Sequence, residues 1–138
     1  KLLIVGDGVE SMKKMFLSKE GVIMVGTKDN VVTYLHAMDV YVLPSLTETT
    51  SLSTLEAMSF ALPVILTRVG LAKEYIINGF NGFVFPKKDP YTLYKYITMI
   101  MKDPALGDRI GKNARKLVIE KFLWKNTVER IKQKLDKI

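Results

Sequence analysis

Four short apolar runs, Leu2 to Val5, Val22 to Val25, Val40 to Leu43 and Val64 to Leu66, punctuate the first half of the chain, each followed by Gly, Pro or Thr. Stretches of helical character lie between them, at about Val9 to Leu17, Val31 to Met38 and Leu52 to Phe60. The runs lack polar alternation, which predicts parallel strands buried on both faces. Right-handed crossovers then give an α/β, doubly wound parallel sheet. A further apolar piece, Gly82 to Phe85, closes this pattern.

Beyond Pro86 the period becomes helical throughout. Asp89-Pro90 predicts a cap and first position for a helix to about Lys102, and Asp103-Pro104 ends it and opens another to about Lys121. Trp124, Val128, Ile131, Leu135 and Ile138 then recur at spacings of four and three, an amphipathic helix whose other face holds Lys125, Arg130, Lys132, Lys134 and Lys137. No internal repeat, low-complexity tract or linker occurs before about Pro86.

Composition and charge narrow the possibilities. With 138 residues, 48% hydrophobic and 25% charged, the chain matches one globular domain (1–138), with 106–138 as its C-terminal helical segment. Its first residue is Lys, directly opening a strand-like run, so a fragment of a longer protein is expected. The net charge is +7, and from Lys112 onward nine Lys or Arg stand against three Asp or Glu, so +6 of it is local to the last helices. Cysteine is absent, which excludes disulfides, thiolate metal sites and a cysteine nucleophile, and fits a cytosolic setting. No apolar run approaches the roughly 18 to 20 residues of a membrane span.

Two segments carry candidate chemistry. Gly6-Asp7-Gly8 follows the first strand and could let backbone approach a phosphate, but position 11 is Ser11 where a dinucleotide fingerprint needs a third glycine. A plain tight turn fits it equally. The second segment runs from Leu43-Pro44-Ser45 through Glu48 and Thr49-Thr50-Ser51 to Glu56-Ala57-Met58. A helix starting near Ser51 would present free N–H groups to an anion, each favourable charge being worth about 0.3–1 kcal/mol. Glu48 and Glu56 could accept hydrogen bonds from sugar or ribose hydroxyls, at about 1.5–3 kcal/mol each. Plainer roles fit the same residues: Ser53-x-x-Glu56 matches a capping box, Glu48 matches a solvated loop, and paired carboxylates also serve glycoside hydrolysis. His36 and the seven methionines, among them Met12, Met15, Met58 and Met99, read as surface or packing residues and core filler.

The chain from Val40 to Val84 resembles the donor-binding half of the retaining, GT-B-fold glycosyltransferases of the group 1 type. The residues that carry the resemblance are Pro44-Ser45, Glu48, Glu56-Ala57-Met58, Ala61 and Pro63-Val64, together with Ala37-Met38-Asp39-Val40, Glu74-Tyr75-Ile76-Ile77, Gly79-x-x-Gly82 and Val5-Gly6-Asp7-Gly8. It implies a Rossmann-like C-terminal domain that binds a UDP- or GDP-linked sugar and hands the sugar, mannosyl or glucosyl, to an acceptor hydroxyl with retention. Glu48 would lie by the reaction centre or touch the transferred sugar, and Glu56 would accept from the ribose. The N–H groups of Thr50, Ser51 and Leu52 would meet the pyrophosphate beside Thr49, and Gly26-Thr27-Lys28 would lie against the base. No Asp-x-Asp is present, which suits metal-independent, cofactor-free chemistry.

Thr49-Thr50-Ser51 stand where the family has Gly-Phe-Gly, Ala61 replaces a glycine, and Val69 replaces one of a glycine pair beside Gly70. The resemblance also implies an Arg and Lys diphosphate clamp and an acceptor-binding domain upstream of Lys1, so this chain alone is expected to be inactive. A sugar-nucleotide epimerase of the same architecture is the alternative enzyme. The non-enzymatic alternative is a binding module whose basic helix meets nucleic acid or an anionic membrane. With a glycosyltransferase no nucleic acid is expected, and the basic face is either solvated or docks the protein peripherally on a membrane.

Overall fold

The computed structural model describes residues 1–136; Lys137 and Ile138, expected on the last amphipathic helix, lie outside the described residues. The chain divides into two compact units, Lys1–Met38 and a second from Asp39 onward.

The first unit is β1 (Leu2–Ile4), α1 (Glu10–Leu17), β2 (Val22–Met24) and α2 (Val32–His36). Its two strands pair in parallel, with Leu3 opposite Ile23. No residue of α1 is buried, and Met12 and Met15 are exposed. The expectation that these methionines fill a core is therefore corrected, since a helix without a buried face has no core position to offer. Met99 is likewise exposed, whereas Met58 is fully buried. His36 sits exposed in the last turn of α2.

The second unit begins with β3 (Tyr41–Leu43), α3 (Leu52–Ser59), β4 (Val64–Thr67), α4 (Ala72–Tyr75) and β5 (Phe83–Phe85). These strands form a parallel sheet in the order β3-β4-β5. Every residue of β4 and β5 is buried, as continuous apolar runs predict. Ile65, Phe83 and Phe85 meet Ile100 and Ile110 in the core, each such side chain contributing about 1.5–3 kcal/mol by leaving water. Those two isoleucines come from α5 (Pro90–Lys102) and α6 (Pro104–Lys121), which open as expected. The Asp89 carboxylate accepts from the Thr92 N–H at 3.0 Å, and Asp103 from the Leu106 N–H at 3.0 Å. Caps of this kind are worth about 1 kcal/mol each.

Where α3 ends, Leu62 N–H donates to the Ala57 carbonyl and Ala61 N–H to that of Met58, the two bonds of a Schellman stop. The residue in the left-handed conformation is Ala61, at φ +58°. α6 crosses this stop at Gly111, where a Cβ would overlap the Ala61 carbonyl. Asn81, nearly fully buried, accepts from the Ile77 N–H at 2.7 Å and donates to the Tyr75 carbonyl at 2.9 Å, which fixes the turn between α4 and β5.

The last helix, α7 (Trp124–Leu135), buries none of its residues: Trp124, Val128, Ile131 and Leu135 are all exposed. Among the described residues no helix is long and apolar enough to cross a membrane.

Candidate functional site

Parallel strands in one sheet all end on the same edge, and the loops that leave that edge are where α/β folds place ligands. Here β3 and β4 end at Leu43 and Thr67, tied together by a hydrogen bond from the Thr67 hydroxyl to the Leu43 carbonyl at 2.9 Å. Beyond them, Glu48, Thr49, Ser51, Val69, Ala72 and Tyr75 line a small cleft together with Leu43, Leu66 and Thr67. Three residues singled out from sequence, Glu48, Thr49 and Ser51, therefore meet in one place.

Ser51 is the N-cap of α3: its Oγ accepts from the Thr54 N–H at 3.2 Å. A capping box from Ser53 to Glu56 is thus corrected, because Ser53 already lies within the helix and its Oγ accepts from the Tyr41 phenol at 2.8 Å. Glu56 is freed from a capping role and stands exposed on α3. The amides of Leu52 and Ser53 find no acceptor among the described residues, as expected of the first turn of a helix. This end of α3 offers donors to an anion.

Glu48 is half-buried, and the Ser45 hydroxyl donates to its Oε1 at 3.2 Å. Its loop is held from the opposite side by Gly70, at φ +50°, where a Cβ would overlap the carbonyl oxygens of both Glu48 and Thr49. Leu71 N–H then donates to the Thr49 carbonyl at 3.0 Å. Only a glycine permits this approach.

Two tyrosines share the electrostatics of the site. Burial pushes the Tyr75 phenol up from its ordinary value, and the negative charge of Glu48 adds to that. Burial also raises the Tyr41 phenol, reinforced by Glu56 and opposed by the Ser53, Thr54 and Ser51 hydroxyls. Both remain protonated donors at neutral pH. The Tyr75 ring is met edge-on by Phe122, with centroids 5.7 Å apart. Spacing marks neither tyrosine nor Gly70 as a site residue; the glycine-pair position beside Val69 is the one signal the sequence offers.

In the first unit, Gly6 N–H donates to the Gly26 carbonyl at 2.9 Å, and Gly26 takes φ +72° at the start of the Gly26-Thr27-Lys28 turn. The Gly6-Asp7-Gly8 turn satisfies itself. Asp7 accepts from the Gly8 N–H at 2.8 Å and pairs with Lys13 at 2.5 Å, which holds its carboxyl below the usual carboxylate range. The Gly8 N–H and the Lys13 ammonium at this turn are thus already partnered by the Asp7 carboxylate.

The family model for glycosyl transferases group 1 matches residues 1–117 of this chain. The chain belongs to that family. The N-acetyl-alpha-D-glucosaminyl L-malate synthase of Bacillus anthracis is 35% identical over 127 residues, 88% of this chain and 33% of the relative. The UDP-Gal:alpha-D-GlcNAc-diphosphoundecaprenol alpha-1,3-galactosyltransferase of Escherichia coli is 29% identical over 136 residues, 94% of this chain and 35% of the relative. Among solved structures, the sucrose-phosphate synthase of Thermosynechococcus elongatus superposes with a TM-score of 0.88 at 28% identity, over 99% of this chain and 38% of that one. The chain thus spans about a third of the length of the curated relatives it matches. As a group 1 glycosyltransferase chain, it carries the Rossmann-like α/β fold of the GT-B enzymes.

Proposed function

We propose that this chain is the donor-binding part of a retaining glycosyltransferase that takes a glycosyl group from a UDP- or GDP-linked sugar and transfers it to an acceptor hydroxyl. The observation that carries the reading is the convergence of Glu48 with the uncommitted N-terminus of α3 at the carboxyl edge of β3 and β4. The acceptor oxygen attacks the anomeric carbon on the face from which the nucleoside diphosphate leaves. One carbon–oxygen bond forms as another breaks, and the acceptor proton passes to the departing phosphate oxygen. The N–H groups of Thr50, Ser51 and Leu52, beside Thr49, stabilise the charge growing on the diphosphate. Glu48 positions the sugar and Glu56 accepts from the ribose hydroxyls. Positioning and charge stabilisation supply the catalysis, so the reaction proceeds in the presence of a metal chelator. The Escherichia coli relative, named for a UDP-Gal donor, supports a nucleotide-sugar substrate.

Donor turnover by the full-length protein, followed with and without an acceptor and with the anomeric configuration of the product read by NMR, tests this. Acceptor-dependent release of nucleoside diphosphate with retained configuration is expected. Acceptor-independent conversion of the sugar nucleotide would favour an epimerase instead.

A second, separable reading concerns attachment. Trp124 is 83% exposed at the start of α7, next to Lys125 and followed by Arg130, Lys132 and Lys134, a composition that suits an anionic membrane surface. Sedimentation of the full-length protein with phosphatidylglycerol vesicles, lost in high salt and absent with phosphatidylcholine, would support peripheral attachment; equal recovery with both lipids would remove it.

A further inference from the structure

The cleft beside Glu48 is far too small for a sugar ring. Its free space, about 10 Å³, holds one group the size of a water oxygen. Much of its polar lining is already committed: the Thr67 hydroxyl donates to the Leu43 carbonyl, and the Ser51 hydroxyl serves the Thr54 N–H and Ser53. Glu48 retains a carboxylate oxygen beyond the one bonded to Ser45. Tyr75, half-buried, also lines the cleft, and its phenol makes no hydrogen bond among the described residues.

An acceptor and a donor without partners, on two residues that line one oxygen-sized space, match a hydroxyl group, which donates once and accepts through its lone pairs. We propose that Tyr75 is a specificity-determining residue of the donor site, its phenol O–H donating to the same sugar hydroxyl whose proton Glu48 accepts. The cleft is of a size to admit that hydroxyl. This inference rests on the donor-site reading above and names the feature of the sugar that the site selects.

The geometry keeps the pair in register. Gly70 and the Leu71 N–H bind the Glu48 loop to the segment that leads into α4, so Glu48 and Tyr75 are carried by one connected piece of backbone. Phe122 meets the Tyr75 ring edge-on at 68°. Burial and the Glu48 charge keep the phenol protonated, as a donor must be. A site built to bond a hydroxyl discriminates strongly against an analogue lacking it, because its own groups are then left unpaired.

Isothermal titration of full-length wild type and Tyr75→Phe with UDP, GDP, UDP-glucose, UDP-galactose, UDP-N-acetylglucosamine and GDP-mannose tests the proposal. Deoxy analogues of whichever sugar nucleotide binds complete the set. Tyr75→Phe keeps the ring against Phe122, and an unchanged affinity for the free nucleoside diphosphate verifies the fold. The variant is expected to bind the sugar nucleotide about tenfold more weakly. One deoxy analogue should bind wild type and variant equally, identifying the hydroxyl. Equal affinity of wild type and variant for every sugar nucleotide, with nucleoside diphosphate still bound, overturns the role of Tyr75 alone. Absence of binding to any nucleoside diphosphate by the wild type overturns both this proposal and the donor-site reading.

Discussion

Gly70 stands against the backbone of Glu48 so closely that a single added carbon would overlap the Glu48 carbonyl oxygen. The loop bearing the candidate sugar-binding carboxylate is therefore positioned by a residue 22 places further along the chain. Gly70→Ala should destabilise the protein by about 2 kcal/mol or more, from the left-handed φ together with the displaced loop. Sugar-nucleotide affinity should fall with it. Urea denaturation and calorimetric titration check the two effects, and wild-type behaviour in both would show that the approach is unimportant.

Ala61 offers the opposite change. It occupies the left-handed position of the α3 stop at φ +58°, where a Cβ costs about 1–2 kcal/mol, partly offset by the extra freedom glycine gives the unfolded chain. Ala61→Gly should raise stability by about 0.5–1 kcal/mol without altering donor affinity. A higher urea midpoint at unchanged slope is the expected result.

The two raised phenols set a pH dependence. Tyr41 and Tyr75 hold their protons above the ordinary tyrosine value of 10.0 in the folded state, whereas an unfolded tyrosine loses its proton near that value. Stability from this source is complete below about pH 10 and is lost as pH rises through the folded values. Thermal melting from about pH 8 to about pH 11.5 should show a falling midpoint that begins near pH 10, and Tyr41→Phe combined with Tyr75→Phe should flatten it. An unchanged slope in the double variant would assign the loss to other groups.

Much of this architecture is legible in the sequence because its signals are local. Asp89-Pro90 and Asp103-Pro104 announce helix starts through cap chemistry, and the buried strands β4 and β5 announce themselves as uninterrupted apolar runs. α4 escapes the same reading because Ala72–Tyr75 is four residues, too short to display a helical period. The cap of α3 is ambiguous for a related reason: Ser51 and Ser53 both satisfy the pattern, and in the structure Ser51 takes the Thr54 N–H while Ser53 accepts from Tyr41 on β3. Methionines at apolar helical phases do not reveal burial, since Met12 and Met15 keep the phase while α1 buries nothing. Within the site, Glu48 and Glu56 follow from the family's spacing. The contributions of Gly70 and Tyr75 depend on contacts between distant segments and become visible only in three dimensions.

Whether the N-terminus of α3, with Glu48 in the loop before it and Glu56 on it, holds a nucleotide sugar is decided by the affinity of the full-length protein for UDP and GDP, titrated with and without Glu56→Ala. Loss of a charged acceptor for ribose hydroxyls should weaken binding of the preferred diphosphate about tenfold or more, while the surface control Glu120→Ala leaves it unchanged. Equal affinity of wild type and Glu56→Ala, or no binding of either nucleotide by the wild type, would mean that this end of α3 is not a donor site.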